Sequence, residues 1–514
     1  MISDNRSIQQ LAALLLAHDV REVVLCPGSR NAAIVHTLNQ LEDFRCHAVT
    51  DERSAGFVAM GLAQATQHPV AVCVTSGSAL LNLHPAVAEA FYQHVPLVVI
   101  SADRPQAWIG QQDGQTLPQP CVFGNLVKRS IQVPEIHTPE EEWYANRLIN
   151  EALLEAKHHE DGPVHINVPV SEPFYEFHTE HLPKVRVIQR HSLTHFITSS
   201  WLCRSNKCLI VVGQYPSSIQ LPEGIAILSE HLGNQRQGIR GNLDALVAAI
   251  PKEEAEHFRP EVLITIGGHI VSKQLKLFLR NYPPQRHIHI NPTGEVTDTF
   301  QCLTDIVECR GDEFFHTVKL QGTQQTEYAL MWEQLAESVR TKEKGETPTQ
   351  ETESVRLLLS RLPKNAVLHL SNSSAVRLAE KFPIREEVCV RCNRGVNGIE
   401  GSLSAAVGHA LGTPEKEHFI IIGDLSFFYD QNALWNTSLP QNLHILLLNN
   451  GGGKIFETLP IPDDQRSRNY ICGNHQTNAK PVCQQYGLRY LSGVQHIAEF
   501  IAPGNCVLLE IKSI

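Results

Sequence analysis

Short runs rich in aliphatic and β-branched residues recur along the chain and alternate with stretches of helical spacing of apolar positions. In the first third the runs are residues 23–25, 70–74, 97–100 and 164–168. A run that is apolar at every position predicts a strand covered on both faces, as in a parallel sheet. The same pattern restarts near 208–212, 262–266 and 286–290, and again near 366–370, 388–390, 419–422, 443–448 and 506–511. Strand alternating with helix three times over predicts an α/β protein of three consecutive doubly wound domains, 1–180, 190–340 and 354–514, with ligands at the carboxyl ends of the strands. Two stretches without periodicity are expected to be linkers: residues 171–200, polar with Pro and His, and residues 341–353, charged and nearly devoid of apolar side chains.

The chain of 514 residues is long enough for three hydrophobic cores. Its 43 Lys and Arg against 54 Asp and Glu give a formal charge of −11, and no dense basic block stands out, which argues against nucleic acid as a partner. Anionic ligands would therefore need local arginines to hold them. No apolar run reaches the roughly 20 residues of a membrane helix, and the stretch 11–17 is too short for one, so a cytoplasmic protein without membrane insertion is expected. The 13 cysteines are scattered, as suits reduced thiols. Cys389 and Cys392 are spaced C-x-x-C but read as residues of an alternating strand rather than a zinc or redox pair. The 26 histidines form no H-E-x-x-H.

The segment 420–456 carries the most chemistry. A strand ends in Gly423-Asp424-Leu425-Ser426, and 26 positions after Asp424 a second strand ends in Asn449-Asn450-Gly451-Gly452-Gly453. Neighbouring parallel strands would bring Asp424 and Asn450 to one sheet edge. A carboxylate, an amide oxygen and a loop carbonyl there suit magnesium, which completes its shell with water and substrate phosphates. The glycines would let backbone amides approach a diphosphate. A strand-end Asp capping a helix and an ordinary Gly-rich turn would account for either half alone.

Gly-Asp, some 25 residues, then Asn-Asn resembles the diphosphate-and-metal motif of thiamine-diphosphate enzymes, although Leu425 stands where that motif usually has Gly. The resemblance implies pyrimidine-binding, middle and diphosphate-binding domains in that order. It implies thiamine diphosphate with Mg2+ or Mn2+ as cofactors, the metal held by the side chains of Asp424 and Asn450 and the carbonyl of Gly452. Gly423, Leu425, Ser426, Gly453, Ser76 and Gly77 would be further cofactor contacts, with Ile399 wedged between the cofactor rings. Such enzymes need a glutamate facing N1′ of the aminopyrimidine, and Thr50-Asp51-Glu52-Arg53 supplies Glu52; alone it would pass for a helix N-terminal charge.

Further motifs narrow the resemblance. Cys26-Pro27-Gly28-Ser29-Arg30-Asn31, Thr75-Ser76-Gly77-Ser78-Ala79, Ser101-Ala102-Asp103-Arg104-Pro105, Asn372-Ser373 with Arg377, and Asn393-Arg394-Gly395 with Gly398-Ile399 together resemble the menaquinone-pathway synthase family that makes 2-succinyl-5-enolpyruvyl-6-hydroxy-3-cyclohexene-1-carboxylate. That resemblance implies decarboxylation of 2-oxoglutarate and addition of the succinyl-semialdehyde unit to isochorismate. Both substrates are dicarboxylates, for which guanidinium is a natural clamp. In this pattern Ser29, Arg30, Gln115 and Ser373 join Glu52 in catalysis. Arg104, Arg377, Arg394 and Lys273 bind substrate, and Ile455, Phe456 and Leu459 form either an apolar lid or a helix core face. Gly114 stands where some relatives have Asn, and Gln274 where a Lys-Arg pair would place Arg. The superfamily also implies a homodimer or homotetramer with the cofactor at a subunit interface. The rival readings are another thiamine-diphosphate carboligase of acetolactate-synthase type, an inactive relative serving as an assembly partner, and a nicotinamide oxidoreductase, which lacks its G-x-G-x-x-G here.

Overall fold

The computed structural model describes residues 1–197, 207–318, 326–343, 348–435, 439–458, 465–504 and 506–513. They gather into two compact units, Met1–Arg190 with Glu295–Ile306, and His191–Gly294 with Val307–Ile514. Among the described residues no helix is long and apolar enough to cross a membrane.

The first unit is built on a six-stranded sheet of β1 (Glu22–Leu25), β2 (Arg45–Ala48), β3 (Val70–Val74), β4 (Leu97–Asp103), β5 (Arg129–Gln132) and β6 (Val164–Pro169), in the order β2-β1-β3-β4-β6-β5. All its pairings are parallel. Helices cover both faces, so β1, β3, β4 and β6 are buried along their whole length. Their sequences are accordingly rich in aliphatic residues, and the buried polar side chains among them, Ser101, Asp103 and Asn167, are hydrogen-bonded to one another.

In the second unit a seven-stranded sheet comprises β7 (Gln189–Ser192), β8 (Cys208–Val212), β9 (Ala226–Ser229), β10 (Ile239–Arg240), β11 (Val262–Ile266), β12 (Arg286–Ile290) and β13 (Asp305–Glu308), in the order β10-β9-β8-β11-β12-β13-β7. A further six-stranded sheet holds β14 (Val367–Leu370), β15 (Cys389–Cys392), β16 (His418–Gly423), β17 (Leu443–Asn449), β18 (Arg489–Ser492) and β19 (Val507–Lys512), in the order β15-β14-β16-β17-β19-β18, again all parallel. The two six-stranded sheets share one strand order. In each, the chain reverses direction of growth between the first and third strands, which opens a crevice beyond their carboxyl ends.

Each apolar run of the sequence is a strand, with bounds that agree within three residues. The strands it does not reveal are β2, β5, β7, β9, β10, β13 and β18, most of them at or next to a sheet edge. An edge strand has one paired side and partly solvated faces, so Arg45–Ala48 and Arg489–Ser492 need no continuous apolar run. Cys389 and Cys392 lie on β15 as ordinary strand residues.

Neither expected linker is a free tether. Phe174, Phe177, Leu182 and Val185 pack onto the first unit's core, and Thr179 bridges to Ile2. Asn150, fully buried, donates to the Arg186 carbonyl at 3.0 Å and accepts the Ile188 N–H at 2.8 Å. Unsatisfied backbone groups beside a core are costly, and these hydrogen bonds satisfy two of them. The charged stretch is consumed by helices Glu327–Glu343 and Gln350–Arg361, with residues 344–347 outside the described set.

In the second unit two carboxylates are buried close together. Glu230 accepts the N–H groups of Val271 and Ser272 at 2.7 and 2.6 Å, and Glu380 accepts the His231 N–H at 3.1 Å on both oxygens. Burial first, and then the charge of Glu230, hold the Glu380 carboxyl well above the usual carboxylate range. A group whose folded pKa is raised binds more protons in the native state, so stability falls as pH rises from the unfolded carboxylate's pKa towards the folded one. Urea midpoints of the wild type should therefore drop from mildly acidic to alkaline pH. Glu380→Gln, which keeps an acceptor without the ionisation, should flatten that slope; identical slopes would refute the assignment.

Candidate functional site

The motifs collect at the two sheet crevices. In the first unit the turn after β1 (Cys26–Asn31) meets the turn after β3 (Thr75–Ser78). A side chain at Gly28 would put its Cβ 2.4 Å from the Thr75 Cβ, so only glycine permits this approach. Gly77 has φ +82°, donates its N–H to Gln119 Oε1 at 2.8 Å, and lies against the Gln115 backbone, where a Cβ would come within 3.1 Å of the carbonyl oxygen. Ser76 and Thr75 keep buried hydroxyls without a partner among the described residues. Ser29 and Gln115 are exposed.

Glu52 opens the helix Glu52–Thr66, whose N-cap is Asp51. It is half-buried and accepts a 3.1 Å hydrogen bond from Asn82 Nδ2. Its proximity to the β1 turn is registered by Cys26, whose thiol is pushed up to about 12 by burial and then by the charges of Glu52 and Asp51.

Arg30 is 5% exposed, donates to the Val170 carbonyl at 3.0 Å and lies 4.9 Å from the Phe174 ring. Its acid partner, Glu172, is 3.6 Å away and mostly in solvent. Burial, followed by the charge of Arg104, lowers its pKa. Arg104 is positioned by the Gly114 carbonyl at 2.9 Å and Asp113 at 3.1 Å. Two guanidiniums within mutual repulsion, one of them buried, form a pair that an anion would stabilise.

A buried polar network lies beneath these groups. Asn167 donates to Asp103 at 2.8 Å and accepts from Gln119 at 2.8 Å and Ser101 at 2.7 Å, while Asp103 accepts the Arg104 N–H at 2.8 Å. Gln119 therefore links the Gly77 turn to the strand carrying Arg104. Sequence reading passed over Gln119 and Asn167, whose roles arise only where β4 and β6 pair.

In the second unit the corresponding crevice lies between the ends of β14 and β16. Asp424 is buried at the start of the helix Asp424–Tyr429, with Oδ1 accepting the Leu425 N–H at 2.7 Å. Its Oδ2 accepts the N–H groups of Asn450, Gly451 and Gly452 at 3.0, 2.8 and 3.0 Å, and His475 Nε2 stands 3.3 Å away. The strand-end aspartate and the Gly-rich loop thus meet as expected from parallel neighbours. For Gly452, the N–H faces Asp424 while the carbonyl accepts the Lys454 N–H at 3.0 Å.

Asn450 donates its amide to Glu351 at 3.1 Å, leaving a buried Oδ1 without a partner among the described residues. An orphaned amide oxygen beside a buried carboxylate fits a hard, oxygen-seeking cation. Glu351 came from the stretch expected to be a linker, where nothing local distinguishes it. Gly453 is pinned by the Cys472 carbonyl at 2.6 Å. The Ser426 hydroxyl donates to the Ile399 carbonyl, and the Gly423 N–H donates to the Ser371 hydroxyl at 3.4 Å. Ile399 is 37% exposed, as is Phe456 on the short helix Lys454–Thr458 with the half-buried Ile455. Leu459 lies outside the described residues.

The cationic part of this half is organised by Asn372. Its Oδ1 accepts from Arg394 at 2.8 Å, and its Nδ2 donates to the Asn393 and Gly398 carbonyls at 2.8 and 2.7 Å. Arg394 is 7% exposed, and burial lowers its pKa. Ser373, at φ +70°, accepts the Arg377 guanidinium on its carbonyl at 2.7 Å, and Arg377 itself is exposed. Lys273 does not join them: it is exposed at the start of the helix Lys273–Asn281. One turn on, Lys276 is half-buried; burial lowers its pKa, Glu230 opposes the shift, and Arg394 and Arg377 are close enough to act on it. Lys273 and Lys276 share a helix face, so spacing alone does not reveal which one meets the cluster.

The model of the thiamine pyrophosphate enzyme N-terminal TPP-binding domain matches residues 6–121. A 2-succinyl-5-enolpyruvyl-6-hydroxy-3-cyclohexene-1-carboxylate synthase of Phocaeicola vulgatus is 52% identical, the match covering 98% of this chain and 93% of that protein. Synthases of the same name from Bacteroides thetaiotaomicron, at 51% over 95% and 91% of the two chains, and from Flavobacterium psychrophilum, at 36% over 95% and 91%, are also similar. With identity of this extent along nearly its whole length, the chain belongs to the 2-succinyl-5-enolpyruvyl-6-hydroxy-3-cyclohexene-1-carboxylate synthase family of thiamine-diphosphate-dependent enzymes.

Proposed function

We propose that this enzyme decarboxylates 2-oxoglutarate and adds the resulting succinyl-semialdehyde unit to isochorismate, giving 2-succinyl-5-enolpyruvyl-6-hydroxy-3-cyclohexene-1-carboxylate and carbon dioxide. The observation that carries the reading is the buried Asp424 joined to the Gly-rich loop, with the unpartnered Asn450 oxygen beside it. Family membership supports the donor and acceptor.

In this reading the second unit would hold the cofactor's diphosphate through Mg2+ or Mn2+, with Asp424, Asn450 and the Gly452 carbonyl as ligands. Gly423, Leu425, Ser426 and Gly453 shape that cradle, and Ile399 supplies an apolar surface beside it. Thiamine diphosphate, when bound, supplies the carbon nucleophile on which a 2-oxoacid loses carbon dioxide. Glu52 would hold a proton toward the aminopyrimidine ring nitrogen, and Ser76 and Gly77 would be among the residues that hold that ring. Arg30 and Arg104, with Ser29 and Gln115 on neighbouring turns, and Arg394 with Arg377 and Ser373, hold the substrate carboxylates. Guanidinium pairs suit this because each presents parallel N–H donors to a planar anion. Ile455 and Phe456 shield the acceptor ring, and Lys276 adds to the cationic field. Domains 1–180, 190–340 and 354–514 would serve as pyrimidine-binding, middle and diphosphate-binding parts of a cytoplasmic enzyme.

A twofold homodimer or homotetramer is part of the proposal. Phe57 and Val58, 40% and 41% exposed on the helix that Glu52 opens, supply apolar surface for self-association.

Glu52→Gln should lower turnover by at least roughly 10² to 10⁴, the usual worth of a positioned acid or base; a rate within a fewfold of wild type would falsify its role. Asp424→Ala should raise the Mg2+ and cofactor concentrations needed for half-maximal activity and for saturating the quench of tryptophan fluorescence by cofactor, whereas unchanged titrations would remove it from the metal site. Light scattering along a dilution series should show activity lost with dissociation, and an active monomer would contradict the shared site. The decisive assay follows 2-oxoglutarate loss with and without isochorismate and identifies the product by mass. Consumption indifferent to isochorismate would leave another acceptor, as in an acetolactate-synthase-like carboligase.

A further inference from the structure

Three histidines that the sequence scatters across 50 residues meet at the amino-terminal end of the last sheet. His369 lies on β14, His418 opens β16, and His409 belongs to the helix Ser402–Gly412, which packs on the same sheet face through Leu403, Ala406, Val407 and Ala410. One ring nitrogen from each lies within 4.8 Å of the others. His369 and His418 are 6% and 0% exposed.

The hydrogen bonds fix the state of one ring. Thr413 donates its hydroxyl hydrogen to the His409 carbonyl at 2.8 Å, so towards His418 Nε2, 2.9 Å away, it can only accept. The Thr413 carbonyl, 3.4 Å from the same nitrogen, is a second acceptor. His418 therefore carries its proton on Nε2 and turns the Nδ1 lone pair inward, where His369 Nε2 stands 3.2 Å away. His409 Nδ1 is buried without a partner among the described residues. A ring oriented through its outer nitrogen by a hydroxyl and a carbonyl is the arrangement that metal-bound imidazoles adopt.

We propose that His369, His409 and His418 bind a divalent transition metal of the zinc class, at a site separate from the magnesium site. Tetrahedral zinc with bonds of about 2.0–2.1 Å sets its nitrogens about 3.3 Å apart, so the His369–His418 pair is already spaced for it. Rotation of the partly exposed His409 closes the third side, and water takes the fourth position. The neighbouring charges are Arg391, Lys416 and Glu417. Glu417 is engaged by His444 at 2.8 Å. A site of neutral imidazoles discriminates against magnesium and calcium, which require oxygen ligands, and only a metal that bonds strongly to nitrogen outweighs the repulsion of Arg391 and Lys416. His418 and Gly423 are the two ends of β16, about 16 Å apart at the usual rise per residue, so this metal stands away from Asp424. Its effect would be to tie the helix that follows Ile399 to β14 and β16.

The test uses the full-length chain after chelator treatment. Titration with Zn2+ against a colorimetric indicator should give one saturable site per chain, and Co2+ should give the visible bands of tetrahedral nitrogen ligation without thiolate charge transfer. His409→Ala, at a partly exposed position, should weaken Zn2+ at least about 10-fold, and Thr413→Val should weaken it about 10- to 100-fold through the lost orientation of His418. Circular dichroism melts would confirm that both variants fold. No saturable binding, thiolate bands from cysteines, or both variants matching wild type would overturn the site.

Discussion

A parallel sheet buried on both faces leaves chemistry nowhere to stand except at its strand ends, and the arrangement of this protein follows from that constraint. Strand interiors such as Val70–Val74 and Leu443–Leu448 supply packing. The polar residues that follow their carboxyl ends emerge from the core with their positions set by the hydrogen-bonded register. Because both six-stranded sheets share one strand order, each carries its main crevice beyond the same pair of strands. The turns after β1 and β3 deliver Arg30 and Gly77; the turns after β14 and β16 deliver Asn372, Ser373 and Asp424.

The two halves solve different electrostatic problems. Around Asp424 the loop turns three N–H groups towards one carboxylate oxygen, and the amide oxygen of Asn450 is buried without a donor among the described residues. This leaves an oxygen ligand available for a small hard cation. Around Arg30 and Arg104 in the first unit, and separately around Arg394 and Lys276 in the second, positive groups are held near one another. Such clusters cost stability in the absence of an anion, and in a chain of net charge −11 they are local reversals of the overall field. The polar networks through Asn167 and Asn372 hold these groups in place, since each asparagine satisfies several donors and acceptors at once.

Much of this was legible from residues alone. Runs rich in aliphatic residues marked the central strands within three residues, and the Gly-Asp and Asn-Asn pairs marked one sheet edge because they stand at strand ends. Edge strands such as Arg45–Ala48 were not legible, since a strand with one neighbour and solvated faces carries no strong pattern. The stretch 171–200 reads as a linker, its last three residues lying outside the described set, because the anchoring of 171–188 is made by side chains of distant elements, Asn150 among them.

What the sequence determined by itself was therefore whatever depends on neighbours along the chain: which segments are buried strands, which turns follow them, and which residue types those turns display. Only the tertiary structure decided which members of those sets meet. It chose Lys276 over Lys273, drew Glu351 out of a charged stretch to hold Asn450, made Asn372 a hub, and brought His369, His409 and His418 together across 50 positions. The reason is that local pattern reports the average environment of a segment. Which side chains share a hydrogen bond or a charge is set by strand order and helix packing between segments far apart in the chain.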